Sequence, residues 1–305
     1  MTVQDEIVRC LLERDRARVV VAVTTQTVRE IARRHKIRGL AAVALGRAVT
    51  AGLALATLTK DEEQVTLQIL GNGPLGSITV DARSSGRVRA YLKHPGGVLP
   101  SGEAGLPRVS LAQAVGTKGV VNVIRDLGLA QNYAGQTEIS TGEIDSDVER
   151  YLSTSEQIDS VLRCDTLIDS NGEVVASAGL LVQTLPQAHG EALVEFIRQT
   201  LDEQRLSQVL AEPAVGAETL ARRLLAPMSD TLQALDCRPV TFACACSRAR
   251  ATSTLEMLRG EDLQAMILED NQAQVTCSFC GEQYTFSESE LEMIRRKRQP
   301  AQPAS

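Results

Sequence analysis

Apolar positions between residues 18 and 92 change period several times, and each change marks an element. RVVVAVT (18–24) is a continuous apolar run rich in β-branched residues and predicts a strand. Helical spacing follows over about 26–36 and again over 39–58. Val65, Leu67 and Ile69 then alternate with polar residues, as a half-buried strand requires. Asn72-Gly73-Pro74 turns the chain, Ile78 and Val80 alternate, Ser84-Ser85-Gly86 turns it again, and Val88, Ala90 and Leu92 continue. This is the pattern of an antiparallel meander. Further strands are predicted at 119–125 and on both sides of Asn171-Gly172, the last ending in GLLVQTL (179–185), with a helix over 143–160 between them. The expected fold class is α+β: a mostly antiparallel sheet core with packed helices over residues 1–185.

Pro186 marks a boundary. From Gln187 to about Leu235 the chain reads helical, without a strand pattern. Leu193, Phe196, Ile197 and Leu201 are expected on one helical face. Ala211-Glu-Pro-Ala-Val-Gly216 breaks the run, and a second short helix resumes at 217–225. Helices this short are marginal alone and need a surface to lie on. The expected organisation is a core (1–185), a helical linker (186–235), a cysteine module (236–290) and a basic, solvated tail (291–305).

GLAAVALGRAVTAGLALATL (39–58) imitates a transmembrane helix, but Arg47 falls near its centre, where insertion costs about 2.5–3.5 kcal/mol. A helix buried in a folded core is the better expectation. The chain has 305 residues, 43% of them hydrophobic, and a net charge of -6, which argues against a general binder of nucleic acid or anionic membrane. Met1–Glu6 lacks the basic and apolar regions of a signal peptide, so a cytoplasmic protein is expected. Gly71-x-Gly73-x-x-Gly76 matches a dinucleotide fingerprint in letters only. Pro74 lies inside it, and strand-like SITVDA follows where a helix should begin. The chain has no phosphate-loop motif, and its three histidines, His35, His94 and His189, are scattered. No combination of nucleophile, base and orienting group is apparent, so no enzyme is expected.

Four of the seven cysteines change the picture. Cys244 and Cys246 form a C-x-C pair, Cys277 and Cys280 a C-x-x-C pair, with thirty residues between. Four thiolates at this spacing suit one tetrahedral Zn²⁺, and an all-cysteine site lacks the open position of a catalytic zinc. The module is short and holds Phe242, Phe279, Tyr284 and Phe286, expected to form a miniature core around the metal. Structural zinc supplies about 10–16 kcal/mol in small peptides, so losing it should unfold the module. Ser287-x-x-Glu290 reads as a capping box that opens a final helix. Zinc-bound sulfurs are thiolates, the form that oxidises. A C-x-x-C pair closes a disulfide with modest strain. An extended C-x-C pair sits near the outer limit of disulfide geometry, so Cys277–Cys280 should oxidise before Cys244–Cys246. Two rivals stand beside a redox switch. One is a zinc-ribbon protein with a constitutive RNA- or ribosome-binding role, supported by Arg248, Arg250 and RRKR (295–298). The other is an enzyme with a structural ribbon. From Cys244 to Cys280 five acidic residues face three arginines, which opposes a phosphate-binding face.

FACACSRAR (242–250) followed by CSFCGEQYTF (277–286) resembles the redox-switch domain of the heat-shock protein 33 family, the oxidation-activated bacterial chaperones. GNGPLGSITVDA (71–82), VIRDLGL (123–129), YLSTSEQIDS (151–160) and GLLVQTLP (179–186) resemble its other landmarks in the same order. Ala249 departs from the family, which often has Glu there, and this puts a local ion pair in doubt. The resemblance implies an ATP-independent holdase that is zinc-bound and inactive when reduced. It implies that Cys244, Cys246, Cys277 and Cys280 are ligands and sensors, forming disulfides between neighbours, Cys244–Cys246 and Cys277–Cys280, on oxidation. The zinc then leaves, the linker loses order, and exposed apolar surface holds unfolding proteins, with Leu193, Phe196, Ile197 and Leu201 as candidate client contacts. A homodimer when oxidised and transfer of clients to ATP-dependent foldases are also implied.

Overall fold

The alternating segments pair into two sheets around one helix. β1 (Glu6–Leu12), β2 (Ala17–Val23), β8 (Ser160–Ile168), β9 (Val174–Thr184) and β10 (Gln233–Pro239) form a five-stranded antiparallel sheet in the order β10-β1-β2-β9-β8. β3 (Gln64–Gly71), β4 (Ser77–Arg83), β5 (Arg87–Leu92), β6 (Gly119–Asp126), β7 (Tyr133–Glu138) and the short β11 (Thr241–Phe242) form a second, ordered β11-β5-β4-β3-β6-β7. Among the described residues only β11 pairs in parallel, with β5. The α+β class with mainly antiparallel sheets is as the sequence predicts. This computed structural model describes residues 4–12, 16–59, 63–96, 110–128, 132–185, 191–203, 205–212 and 215–298. Pro186 and residues 299–305 lie outside them, as do two positions, 213 and 214, of the break at 211–216. Packing divides the chain into two compact units, Met1–Ala243 and Cys244–Ser305.

In the first unit, α1 (Thr25–His35) leads into α2 (Leu40–Ala56), every residue of which is buried. α2 packs on strands of both sheets, and its glycines are what let it do so. A Cβ on Gly46 would meet Thr166 Oγ1 of β8 at 2.2 Å; one on Gly52 would meet Val80 Cγ1 of β4 at 2.8 Å. Arg47 is fully buried, and its Nη1 and Nη2 donate to Glu143 Oε2 at 2.8 Å and Asp165 Oδ1 at 3.1 Å. Two carboxylates therefore compensate the charge that opposed a membrane span; removing one partner of such a pair costs about 3–5 kcal/mol. Among the described residues no helix is long and apolar enough to cross a membrane. Gly71–Gly76 is the β3–β4 turn, as its context predicts. Gly73 N donates to Val115 O of α3 (Ala112–Val115), and Gly76 takes a φ of +70°.

The segment after β9 forms α5 (Glu191–Glu203), α6 (Leu206–Leu210), α7 (Ala217–Leu224) and a 3-10 turn (Ala226–Thr231). Leu193, Val194, Ile197, Leu201, Leu206, Leu220 and Leu224 form one apolar cluster with Val8, Leu12, Val19, Val21, Leu180 and Val182 of the five-stranded sheet. The short helices thus gain stability from the sheet face they cover.

The structure corrects several expectations. Phe196 is exposed (47%), whereas Leu193, Ile197 and Leu201 are buried. Positions 193, 197 and 201 recur every four residues, and Phe196 turns away from that stripe toward solvent. β10 occupies 233–239, across the boundary placed at 235, in a stretch that lacks an apolar alternation; pairing with β1 orders it. β1 and the polar edge strand β7 are likewise additions that pairing supplies. The helix expected over 143–160 is α4 (Ile144–Thr154), because Ser160 already pairs with Gln183 in the sheet.

Candidate metal centre

Residues 244–298 fold around very little. α8 (Arg248–Glu256), α9 (Gly260–Asp270), the hairpin β12 (Gln272–Thr276) and β13 (Gln283–Ser287), and α10 (Glu288–Arg298) surround eight buried apolar residues, Phe286 the only aromatic among them. The predicted aromatic core is therefore corrected. Tyr284 is partly buried against this cluster, while Phe242 packs in the first unit, beneath the guanidinium of Arg34 at 4.7 Å. Ser287 N donates to Glu290 Oε2 at 2.9 Å, the return half of the capping box that the sequence predicts. α10 reaches Arg298 and buries Leu291 and Ile294, so Arg295, Arg296 and Lys297 are helical and not part of a solvated tail.

Each cysteine pair has its own local frame. Cys244 and Cys246 lie in the irregular stretch before α8, whose N-cap Ser247 accepts from Arg250 N. Cys277 and Cys280 occupy the β12–β13 turn. Cys277 N donates to Glu282 O at 2.8 Å, Gly281 N donates to Cys277 O at 2.9 Å, and Gly281 takes a φ of +75° that closes the loop. Backbone amides turn toward the sulfurs: Cys246 toward Cys244, Phe279 and Cys280 toward Cys277, Glu282 toward Cys280.

These frames bring the four sulfurs together. Cys244 Sγ lies 3.7 Å from Cys277 Sγ, Cys246 Sγ lies 3.3 Å from Cys280 Sγ, and all four fall within 4.8 Å of one another. A zinc–sulfur distance near 2.3 Å implies tetrahedron edges of about 3.8 Å, so the donor set fits one Zn²⁺ in size, number and chemistry. Four thiols this close cannot all ionise freely. Burial pushes Cys244 up, but the Cys246 amide and the neighbouring thiols more than offset it and leave it below the ordinary value. Burial raises Cys277 and Cys280, and for Cys280 the adjacent sulfurs raise it further. A central cation would relieve this by favouring all four thiolates.

Neighbouring groups are already engaged. Tyr284 Oη donates to Cys246 Sγ at 3.3 Å, and that bond, with desolvation, pushes the phenol up to about 12. Arg248 stacks over the Phe286 ring at 4.4 Å and donates to Glu290 Oε1 at 2.7 Å and Thr285 O at 2.8 Å. Ala249 has no carboxylate to offer, and the ion pair of Arg248 is made with Glu290. Arg248 has a structural role, which weakens the case for a nucleic-acid contact. Cys237 stands apart, its thiol donating to Glu6 Oε2 at 3.3 Å, and Cys10 and Cys164 are buried.

Comparisons with known proteins cover nearly the whole chain. The family model described as Hsp33 protein matches residues 5–287. The 33 kDa chaperonin of Listeria innocua serovar 6a is 37% identical over 291 residues, covering 95% of this chain and 98% of that protein. That of Bacillus subtilis (strain 168) is 35% identical over 296 residues, with the same coverage. The crystal structure of the 33 kDa chaperonin (heat shock protein 33 homolog) from Thermotoga maritima matches with a TM-score of 0.85 at 29% identity, covering 97% of this chain and 99% of that one.

Proposed function

The chain belongs to the Hsp33 family of non-enzymatic chaperones, and from that premise we propose that it is a cytoplasmic, ATP-independent holdase switched on by oxidation of Cys244, Cys246, Cys277 and Cys280. The observation that carries this reading is a four-thiol cluster closing a unit with only eight buried apolar residues. Zinc held by the four thiolates would supply folding free energy that such a core cannot.

The chemistry falls to the cysteines. Each disulfide formed from two zinc-bound thiolates releases two electrons, which a peroxide accepts together with two protons from solvent as it is reduced to water and an alcohol or a second water. Disulfide sulfur is no longer an anionic donor, so oxidation to Cys244–Cys246 and Cys277–Cys280 abolishes the ligand set. The module then loses its main restraint. Ala243 alone separates β11 from Cys244, and β10 lies just before β11, so disorder beginning at Cys244 can fray these strands along the chain.

β10 continues into the helices that cover the five-stranded sheet. Their release would uncover Val8, Leu12, Val19, Val21, Leu180 and Val182 together with the helices' own Leu193, Ile197 and Leu201. A contiguous apolar surface of this kind binds other apolar surfaces. Unfolding client proteins are the partners, held until ATP-dependent foldases take them, and the same exposed surface favours a homodimer of the oxidised form. Phe196, already exposed, is available to a client in both states. Size-exclusion chromatography with a chemically unfolded client tests the reading: co-elution with the oxidised chain alone is expected, and equal co-elution with the reduced chain opposes it.

A further inference from the structure

The end of α1 carries the run Arg33-Arg34-His35-Lys36, with Arg38 just beyond, in a chain whose net charge is -6. These cations are gathered around a concavity. Arg29, Arg33, Lys36 and Arg38 line a cavity of about 370 Å³ against the β8–β9 turn, with Glu173 beside them. Ala32, Ile37 and Val174 give it an apolar floor. Including Arg34, five cations stand against the carboxylates of Glu30, Glu173 and, near Arg29, Asp5.

The cations are held in ways that leave charge available. Arg29 Nε and Nη2 each donate at 2.7 Å, to the carbonyls of Val174 and Val175, which fixes the guanidinium while Nη1 stays outside those bonds. Lys36 takes a left-handed φ of 54° as the C-cap of α1, and it pairs with no carboxylate among the described residues. The Arg33–Glu30 and Arg38–Glu173 pairs have arginine side chains 71% and 64% exposed, so an incoming anion can compete for them.

Like charges concentrated around a concavity raise the local concentration of anions, and guanidinium forks match phosphate oxygens. Arg29 and Lys36 are seven residues apart, about 10 Å along a helix axis. Linked phosphates can engage cations spread over that length at more points than a single phosphate can. We propose that this cavity binds oligophosphate anions, either inorganic or carried by a nucleoside. The site shares no residue with the cysteine cluster, so it stands independently of the redox reading.

Calorimetric titration of the reduced, zinc-loaded full chain with sodium tripolyphosphate tests it. At about 50 mM salt a Kd below about 1 mM is expected, weakening severalfold at about 200 mM salt. The double variant Arg33→Glu/Lys36→Glu should weaken binding about tenfold or more. Its melting temperature should fall by only a few degrees, because both side chains are exposed and only the exposed Arg33–Glu30 pair is lost. Arg296→Glu/Lys297→Glu, an equal charge change on α10, should leave Kd within about twofold. Competition by ATP but not by adenosine assigns recognition to the phosphate chain from either source; binding of tripolyphosphate without ATP restricts the site to the inorganic form. Absence of binding at low salt, unchanged binding in the first double variant, or orthophosphate binding as tightly as tripolyphosphate overturns the proposal.

Discussion

Arg9 on β1 stands directly opposite Asp236 on β10, and its Nε donates to Asp236 Oδ1 at 2.8 Å. The pair fastens the strand that leads toward Cys244 to the strand that begins the described chain. The hydrogen bond from Arg9 holds the Asp236 carboxyl below its ordinary value of 3.8, against burial and with help from the charges of Arg9 and Arg238. A depressed folded value means that the stabilisation is present above the unfolded value and is lost as pH falls through the folded one. Cross-strand ion pairs contribute about 0.2–1 kcal/mol. Asp236→Asn should therefore speed hydrogen exchange of β10 amides up to about fivefold at pH 7. Urea denaturation should show the two proteins converging as pH falls from the ordinary value of 3.8 through the depressed folded one, where the wild-type carboxyl also protonates. Equal β10 protection at neutral pH contradicts this role.

The linker helices offer a contrast within one turn. Ile197 is fully buried and Phe196 is 47% exposed. Ile197→Ala should cost the reduced protein about 2–5 kcal/mol of local stability through cavity formation. Phe196→Ala should stay within about 0.5 kcal/mol. Hydrogen exchange in α5 measures both. Ile197→Asp should go further and give aggregation suppression without oxidant, by undocking the helices from the sheet. A silent Ile197→Asp variant would argue that linker release is not sufficient for activity.

Metal removal should act first on the cysteine module. With eight buried apolar residues, residues 244–298 should lose amide protection when a chelator strips the reduced protein, while strands β2 and β9 keep theirs. Simultaneous loss across both sheets would mean that the metal supports the whole chain and not the module alone.

Two of the sulfur contacts run across the two knuckles, Cys246 with Cys280 at 3.3 Å and Cys244 with Cys277 at 3.7 Å. In a tetrahedral donor set every edge is similar, so small differences in separation do not choose the product. Loop geometry does, and the C-x-x-C turn accommodates a disulfide with less strain than C-x-C. Mass spectrometry of partly oxidised protein should find Cys277–Cys280 first and Cys244–Cys246 later. Dominant cross-knuckle disulfides, or the opposite order, would remove this account of the sensor.

Much of this was legible in the chain because strong local signals agree with the packing. The alternation at 65–92 became β3, β4 and β5, and Ser287-x-x-Glu290 became the cap of α10. The cysteine spacing likewise found one cluster. β10 was hidden because its order comes from partners more than 220 residues away, Arg9 with Asp236 among them. Phe196 falls within a helical apolar spacing, yet the sheet accepts only the narrower stripe of Leu193, Ile197 and Leu201. Arg33, Lys36 and Arg38 look like an ordinary basic helix end until the fold sets them around a cavity beside Glu173.

The central claim is that oxidation of the cysteine cluster creates a client-binding state. Light scattering of a thermally unfolding client, with reduced or pre-oxidised protein added and a chromogenic chelator following zinc, tests it most directly. The account predicts suppression by the oxidised protein alone, with release of about one zinc per chain, as four-thiolate coordination requires. Zinc retained under oxidant, or equal suppression by both forms, would contradict it and leave the four cysteines as a structural ribbon.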